Sequence, residues 1–195
     1  MRVRRAQQPK RYKDSKRYKP FLRVDFTYRC AYCGVTEHRW GSERNFVVEH
    51  FRPRSLFPEL ATHYPNLYYA CNRCNDLKGD QWPSEAQWRE GVGWVDPCLS
   101  DPEVDHLAER PDGTLTPLSL AGHYTIEHLR LNRREYLVVW RRERRRLRED
   151  MGLTERLIRR VERRELPGLG AEWREELRAL IASHGELCAR LAREY

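Results

Sequence analysis

The chain has 195 residues, of which 39% are hydrophobic and 34% charged, and its formal net charge is +8. This length allows one domain with a sizeable core, or a small domain with an appended one. No apolar run approaches the ~18 residues of a membrane span, and the start of the sequence lacks the apolar stretch of a secretory signal. We therefore expect a cytoplasmic protein with no membrane contact.

The basic charge is concentrated at the beginning of the sequence. Residues 1–25 hold ten Lys and Arg against two Asp, which equals the whole net charge. A basic segment interleaved with Tyr12 and Tyr18 suits a polyanion, because each phosphate that it neutralises releases counterions. We expect residues 1–20 to be a disordered or arm-like segment that contacts nucleic acid, the alternative being a solubilising tail.

Two short strands and a short helix are predicted in the first half of the chain. Residues 45–50 (NFVVEH) and 66–71 (NLYYAC) are rich in β-branched and aromatic residues, which is typical of strands. Residues 73–78 read as one or two helical turns that end at Gly79. The connection between the strands contains Pro53 and Pro58 in its first part, residues 51–60, which is predicted to be a loop.

The second half is predicted to be mainly helical. A short helix capped by Ser84 precedes a hairpin that turns at Pro111-Asp112-Gly113. Amphipathic helices are then expected at residues 125–150, 153–165 and 171–192.

Four of the six cysteines form two CxxC pairs: Cys30 with Cys33, and Cys71 with Cys74. Such pairs are rarely disulfides in a reducing compartment, and two of them a few tens of residues apart indicate a four-thiolate metal site. Zinc is the preferred ion, and iron, which takes the same ligands, is the alternative. Cys98 and Cys188 are interpreted as small buried hydrophobic residues.

Polar residues that can carry out chemistry lie between and beside the two cysteine pairs. Glu49 could ligate a hard divalent cation, and its neighbour His50 could take a proton from water at neutral pH. Asn75 could supply a second oxygen ligand, or could instead cap the short helix. Asn66 could pin the loop backbone near His50. Lys78 lies one turn after Asn75 and could contact a phosphate or be a solvated surface lysine.

The segments CAYC, EHFRP, NLYYACNRCN and LKGD together resemble the HNH endonuclease family, over about residues 22–82. The resemblance implies an α+β fold with a small, zinc-stapled ββα-metal core at residues 21–90. A hairpin and a mainly α-helical region would follow over residues 91–195.

The resemblance also implies roles for individual residues. His50 would be the general base and Asn66 would orient it or its loop, while Glu49 and Asn75 would hold one catalytic divalent cation. The four paired cysteines would hold a structural zinc. The sequence departs from the usual family pattern, because Glu49 replaces Asp and Asn75 replaces the last His. Both changes keep an oxygen donor and favour Mg²⁺ or Mn²⁺.

The implied reaction is hydrolysis of phosphodiester bonds, with DNA as the preferred substrate and RNA as the alternative. Further candidate contacts to phosphate are three arginines near the motif: Arg52, Arg54 and Arg73.

A second resemblance concerns DHLAERPDGTLTPLS and TIEHLRLNR. These segments are similar to small bacterial HNH proteins that are encoded beside an ATPase in anti-phage systems of the Septu type. That similarity implies an ATPase partner on the helical C-terminal region. Two other hypotheses remain: a non-catalytic zinc module that binds nucleic acid or a protein, and an iron-binding redox knuckle.

Overall fold

The computed structural model describes residues 2–162 and 172–194. The chain divides into two compact units, Met1–Val139 and Trp140–Tyr195. The fold is α+β as predicted, with two small antiparallel sheets followed by a helical C-terminal region. None of the described helices has a stretch that is long and apolar enough to cross a lipid bilayer.

The segment ahead of the first helix packs against the first unit. Arg5 donates hydrogen bonds to the backbone carbonyls of Tyr64 at 3.0 Å and Leu67 at 2.7 Å. The backbone amide of Ala6 donates to the carboxylate of Asp25 at 3.0 Å. This part of the basic segment therefore has specific partners within the protein.

The central motif consists of two strands and one helix. β1 (Phe46–His50) pairs antiparallel with β2 (Leu67–Cys71), and α2 (Asn72–Lys78) follows β2 directly. α1 (Lys19–Asp25) precedes these elements in the sequence and has a proline in its first turn. Both strands and α2 lie where the sequence predicted them. α2 ends at Gly79, whose φ of +49° places it in the left-handed region that favours glycine.

The next elements also follow the sequence. α3 (Glu85–Arg89) begins with a capping box between Ser84 and Gln87. β3 (Leu107–Glu109) and β4 (Leu115–Pro117) form the predicted hairpin.

The helical region differs from the prediction. The helices are α4 (Leu120–His128), α5 (Glu135–Glu162) and α6 (Glu172–Glu194). A single helix over 125–150 is therefore wrong, because residues 129–134 leave the helix. Arg130 has a φ of +52°, and the side chain of Asn132 bonds to the backbone amide and carbonyl of Leu115.

The expected break near residue 152 is also wrong. α5 continues through this position to Glu162, so it includes most of the helix predicted at 153–165. Residues 163–165 lie outside the described part of the chain. Within the second unit, ion pairs at i,i+4 spacing join Arg145 to Glu149 and Arg159 to Glu155 along the helix surface.

Candidate active site

The two CxxC pairs come together in one buried cluster. The four sulfur atoms all lie within 4.8 Å of one another, and the Cys33 and Cys71 sulfurs are 3.9 Å apart. Zinc–thiolate bonds of ~2.3 Å in a tetrahedron place sulfurs about 3.8 Å apart, so the cluster fits a zinc ion. The four cysteines could therefore bind zinc.

The local fold explains how the cysteines meet. Cys30 and Cys33 lie in a turn closed by the amide of Gly34, which has a φ of +73° and donates to the Cys30 carbonyl at 3.0 Å. Cys71 ends β2, and Cys74 lies in the first turn of α2. A metal ion here would fix the junction between strand and helix, as the sequence predicted.

Two of the four thiols resist deprotonation without a cation. Burial raises the pKa of Cys30 and of Cys33 well above the ordinary value. Hydrogen bonds from the other three thiols lower the pKa of Cys71. Four thiolates in this volume therefore need a positive partner.

Arg134 supplies one positive charge beside the cluster. Its Nη1 donates to the Cys74 sulfur at 3.1 Å, and its Nη2 donates to the Tyr136 hydroxyl. Arg134 is buried; desolvation opposes its charge, but the nearby Cys74 and Cys33 sulfurs raise its pKa. Such outer contacts orient metal ligands and tune the metal. Reasoning from sequence missed Arg134, because nothing in its local sequence points to a site 60 residues away.

The second polar cluster surrounds Glu49, one of the predicted cation ligands. The Lys78 ammonium lies 2.7 Å from Glu49 Oε1, and the Tyr32 hydroxyl donates to the same oxygen at 3.3 Å. Glu49 is buried, and the Lys78 side chain is 0% exposed. Burial raises the pKa of Glu49, while Lys78 and Tyr32 oppose that shift by stabilising the carboxylate.

Lys78 links this pair to the strand end. Its ammonium also donates to the backbone carbonyl of His50 at 3.0 Å. A phosphate contact was predicted for Lys78, but in this conformation its ammonium faces the protein interior. Nor is Lys78 the solvated surface lysine considered as the alternative, and its burial had no sequence signal.

His50 is held in one tautomer. Its Nε2 lies 2.9 Å from the Ala61 carbonyl oxygen, and since a carbonyl can only accept, Nε2 carries the proton. Nδ1 has no hydrogen-bond partner within the described residues, so it is available to accept a proton. Burial lowers the pKa of His50, and the charges of Arg54 and Lys78 lower it further. The imidazole is therefore neutral at pH 7, as a general base requires.

Asn66 pins the loop that follows β1. Its Oδ1 accepts from the Arg52 amide at 2.9 Å, and its Nδ2 donates to the Arg52 carbonyl at 3.0 Å. Nδ2 also lies 3.4 Å from the Leu60 carbonyl oxygen. This is the geometry that the sequence led us to expect, an amide fixing the loop backbone next to His50.

Asn75 lies on α2 three residues before Lys78. The residue that caps α2 is Cys71, so Asn75 does not have the capping role considered as its alternative. Its side-chain amide makes no hydrogen bond within the described part of the chain.

The three candidate phosphate contacts are all exposed: Arg52, Arg54 and Arg73.

The geometry agrees with the comparison to protein families. Residues 30–81 match the family model described as HNH endonuclease, and the match includes both CxxC pairs and the strands and helix between them. Residues 30–81 are therefore similar to the HNH endonuclease family. Among curated proteins it is similar to the Septu protein PtuB of Bacillus thuringiensis, at 29% identity over 125 residues. That match covers 62% of this chain and 44% of the relative, so the chain spans less than half the length of the protein it matches.

Proposed function

We propose that the protein is a metal-dependent endonuclease that hydrolyses phosphodiester bonds, with DNA as its substrate. The observation that carries the proposal is His50, a neutral imidazole whose Nε2 is bonded to the Ala61 carbonyl and whose Nδ1 accepts no proton from the described residues. It lies at the end of β1, on a loop fixed by Asn66.

The residues of the chain divide the reaction between them. His50 Nδ1 takes a proton from a water molecule as the water oxygen attacks phosphorus, and the bond from phosphorus to the 3′ oxygen breaks. The Ala61 carbonyl stabilises the positive charge that the imidazole gains. Arg52, Arg54 and Arg73 contact phosphates on either side of the cut, without reading sequence.

Glu49 and Asn75 would hold the divalent cation, Mg²⁺ or Mn²⁺. When bound, such an ion supplies charge stabilisation at the phosphate and at the departing oxygen. Both residues offer the oxygen donors that hard cations prefer. Lys78 neutralises the Glu49 carboxylate in the structure, however, so ion binding requires the ammonium to move away from Oε1.

The proposal also includes a biological role and a partner protein. The similarity to a Septu protein supports a role as the nuclease of a bacterial anti-phage system, acting in the cytoplasm. The Septu-type resemblance of the segments after residue 104 supports an ATPase partner that binds the helical C-terminal region and controls cutting.

The test is nicking of supercoiled plasmid by the purified protein with Mg²⁺ or Mn²⁺. His50→Ala should abolish nicking while the zinc content stays unchanged by elemental analysis. His63→Ala is the matched control, because His63 is an exposed histidine in the same inter-strand segment. Nicking by His50→Ala at the parent rate would contradict the proposal.

The second candidate function is a non-catalytic zinc module that binds nucleic acid or a protein partner. The ion pair between Glu49 and Lys78 favours it, because the carboxylate needed for the cation is already neutralised. If the parent protein binds DNA but never cuts it, with either ion and with its partner ATPase present, this second function replaces the first.

A further inference from the structure

An aromatic cluster lies beside the candidate active site. The Trp82 ring stacks on Trp88, with ring centres 5.0 Å apart and planes 26° apart. The edge of Trp82 meets Phe57 at 5.6 Å and Phe51 at 5.5 Å. The Arg52 guanidinium lies 5.6 Å from the centre of the Phe57 ring and 5.9 Å from that of Trp82. We call Arg52, Phe57, Trp82 and Trp88 the aromatic ledge.

The chain connects the ledge directly to His50. Phe51 follows His50, is buried, and stacks on Tyr68 of β2 with ring centres 4.8 Å apart. Arg52 comes next, and Asn66 holds its backbone amide and carbonyl. The catalytic histidine and the ledge are therefore separated by one buried residue on a pinned loop.

The far end of the ledge is also fixed in place. The capping box of Ser84 and Gln87 begins α3, which carries Trp88. A Cβ built on Gly93 would lie 2.7 Å from two atoms of the Trp88 ring, so glycine is what lets the chain pass this ring closely. The position of Trp88 is thus set by contacts on two sides.

The ledge is rigid but not covered. Trp88 is 39% exposed, whereas Trp94 and Trp140 are 2% and 1% exposed. Arg52 is exposed above the rings, and Arg54 lies close enough to His50 to lower the pKa of that imidazole. The Glu85 carboxylate on α3 is neutralised by Arg89 at 3.0 Å.

An exposed indole held in a fixed position, with the Arg52 guanidinium near two of the neighbouring rings, suits a nucleobase. Every base has a π-face that stacks on indole, and arginine adds a cation–π contribution. A base within a duplex already stacks on its neighbours, so a ledge of this kind gains contact only with an unpaired base.

We propose that the aromatic ledge stacks an unpaired nucleobase next to the phosphate that is cut, so that the preferred substrate is single-stranded or locally unpaired nucleic acid. The inference rests on the proposed function for the nature of the ligand and specifies the substrate class of that same site.

The test measures binding without cutting. His50→Ala protein, with no added divalent cation, is titrated with a short oligothymidylate and with a hairpin duplex of equal nucleotide number. Binding is followed by fluorescence anisotropy of a labelled strand and by quenching of tryptophan emission. The single strand should bind more tightly and quench the emission. Added Trp88→Ala should weaken its binding about five- to 150-fold, the range of one stacked base.

Three further variants sharpen the result. Trp88→Phe keeps a stacking ring and should retain most of the binding. Arg52→Gln leaves the indole stack in place and should weaken binding of the single strand more than binding of the duplex, which covers the case in which Trp88→Ala fails to fold. Val104→Ala is the control, because Val104 is a more exposed apolar residue, at 70%, outside the ledge.

The outcomes of the two tests are separate. If the duplex binds as tightly as the single strand, or if both Trp88→Ala and Arg52→Gln bind like the His50→Ala parent, the inference is overturned even when plasmid nicking is robust. A protein that never cuts can still pass this test, because catalysis plays no part in it.

Discussion

The four-cysteine cluster and the Glu49–Lys78 pair are both buried, and α2 contributes to each of them, with Cys74 near its beginning and Lys78 at its end. They balance charge in different ways. The cluster gathers four acidic groups and, among the described residues, is contacted by the cation of Arg134, whereas the pair already contains a carboxylate and an ammonium in contact. One site therefore needs an external ion to reach charge balance, and the other reaches it alone.

From this difference we expect a metal ion among the thiols to be structural and a cation at Glu49 to be dispensable for folding. Burying uncompensated charge is costly, so an ion between the thiolates contributes directly to folding. The Glu49–Lys78 pair holds β1 against α2 with no ion, and a catalytic cation must compete with an ammonium. Five predictions test this comparison, in order of decreasing effect.

Loss of the thiolate-bound ion should have the largest effect. Structural zinc contributes roughly 10–16 kcal/mol to the folding of small zinc domains, which is as large as the whole stability of most domains. A strong chelator, or Cys74→Ser, should remove the cooperative thermal transition of the first unit, measured by circular dichroism, and zinc should restore it to the parent protein.

Cys98→Ser is the control for this experiment, because Cys98 lies outside the cluster. A parent protein that melts at the same temperature with and without chelator would refute the structural role. Elemental analysis, together with the colour of the protein, decides whether the bound ion is zinc or iron.

Removal of the internal cation should have the next largest effect. Lys78→Met leaves Glu49 buried without its partner, and breaking a buried pair in this way typically costs about 3–5 kcal/mol of unfolding free energy. The combination Glu49→Gln with Lys78→Met should recover much of that loss, as measured by urea unfolding. Single and double variants whose effects simply add would show that the pair is not coupled.

The same variant carries a pH signature. Burial raises the pKa of Glu49, and without Lys78 the folded value lies further above the unfolded value of about 4.3. The unfolded chain then releases its proton first, so the loss of stability in Lys78→Met should grow as pH rises through this window. At pH values below about 4.3 the loss should be smallest.

Arg134 is a protein cation that contacts the four-cysteine cluster, so the metal-dependent site also includes one internal positive charge. Arg134→Gln should weaken zinc binding about 10- to 100-fold, the usual cost of losing an outer-shell partner. The measurement is competition with a chromophoric chelator. Arg133→Gln is the matched control, since Arg133 is exposed and paired with Glu127. Equal zinc affinity in both variants would show that Arg134 does not contribute to zinc binding.

The parts of the site that are determined by short stretches of sequence were predictable. The CxxC spacing, the β-branched run before His50 and the amide of Asn66 each led to the observed structure. The ionic contacts were not predictable in this way, because Lys78 and Arg134 reach partners 29 and 60 residues away with no local signature.

The helix break at residues 129–134 had a similar cause. The apolar stripe of residues 125–150 is compatible with one helix, and only a contact from outside that segment decides otherwise. Asn132 binds the backbone of Leu115 in the hairpin, and this tertiary hydrogen bonding holds the chain away from helical geometry. Propensity alone does not reveal such a competitor.

The smallest predicted effect concerns how far the charge of Lys78 reaches. Burial lowers the pKa of His50, with further lowering from Arg54 and Lys78, so His50 should titrate below the ordinary value of about 6.5 in an NMR titration. In Lys78→Met the pKa of His50 should rise, because one positive charge near the imidazole is removed. Because the folded pKa is depressed, the neutral imidazole predominates above pH 6.5 and is lost as pH falls through the folded value. A His50 titration that is the same in Lys78→Met and in the parent protein would mean that the ammonium of the self-balanced pair is not felt at the imidazole.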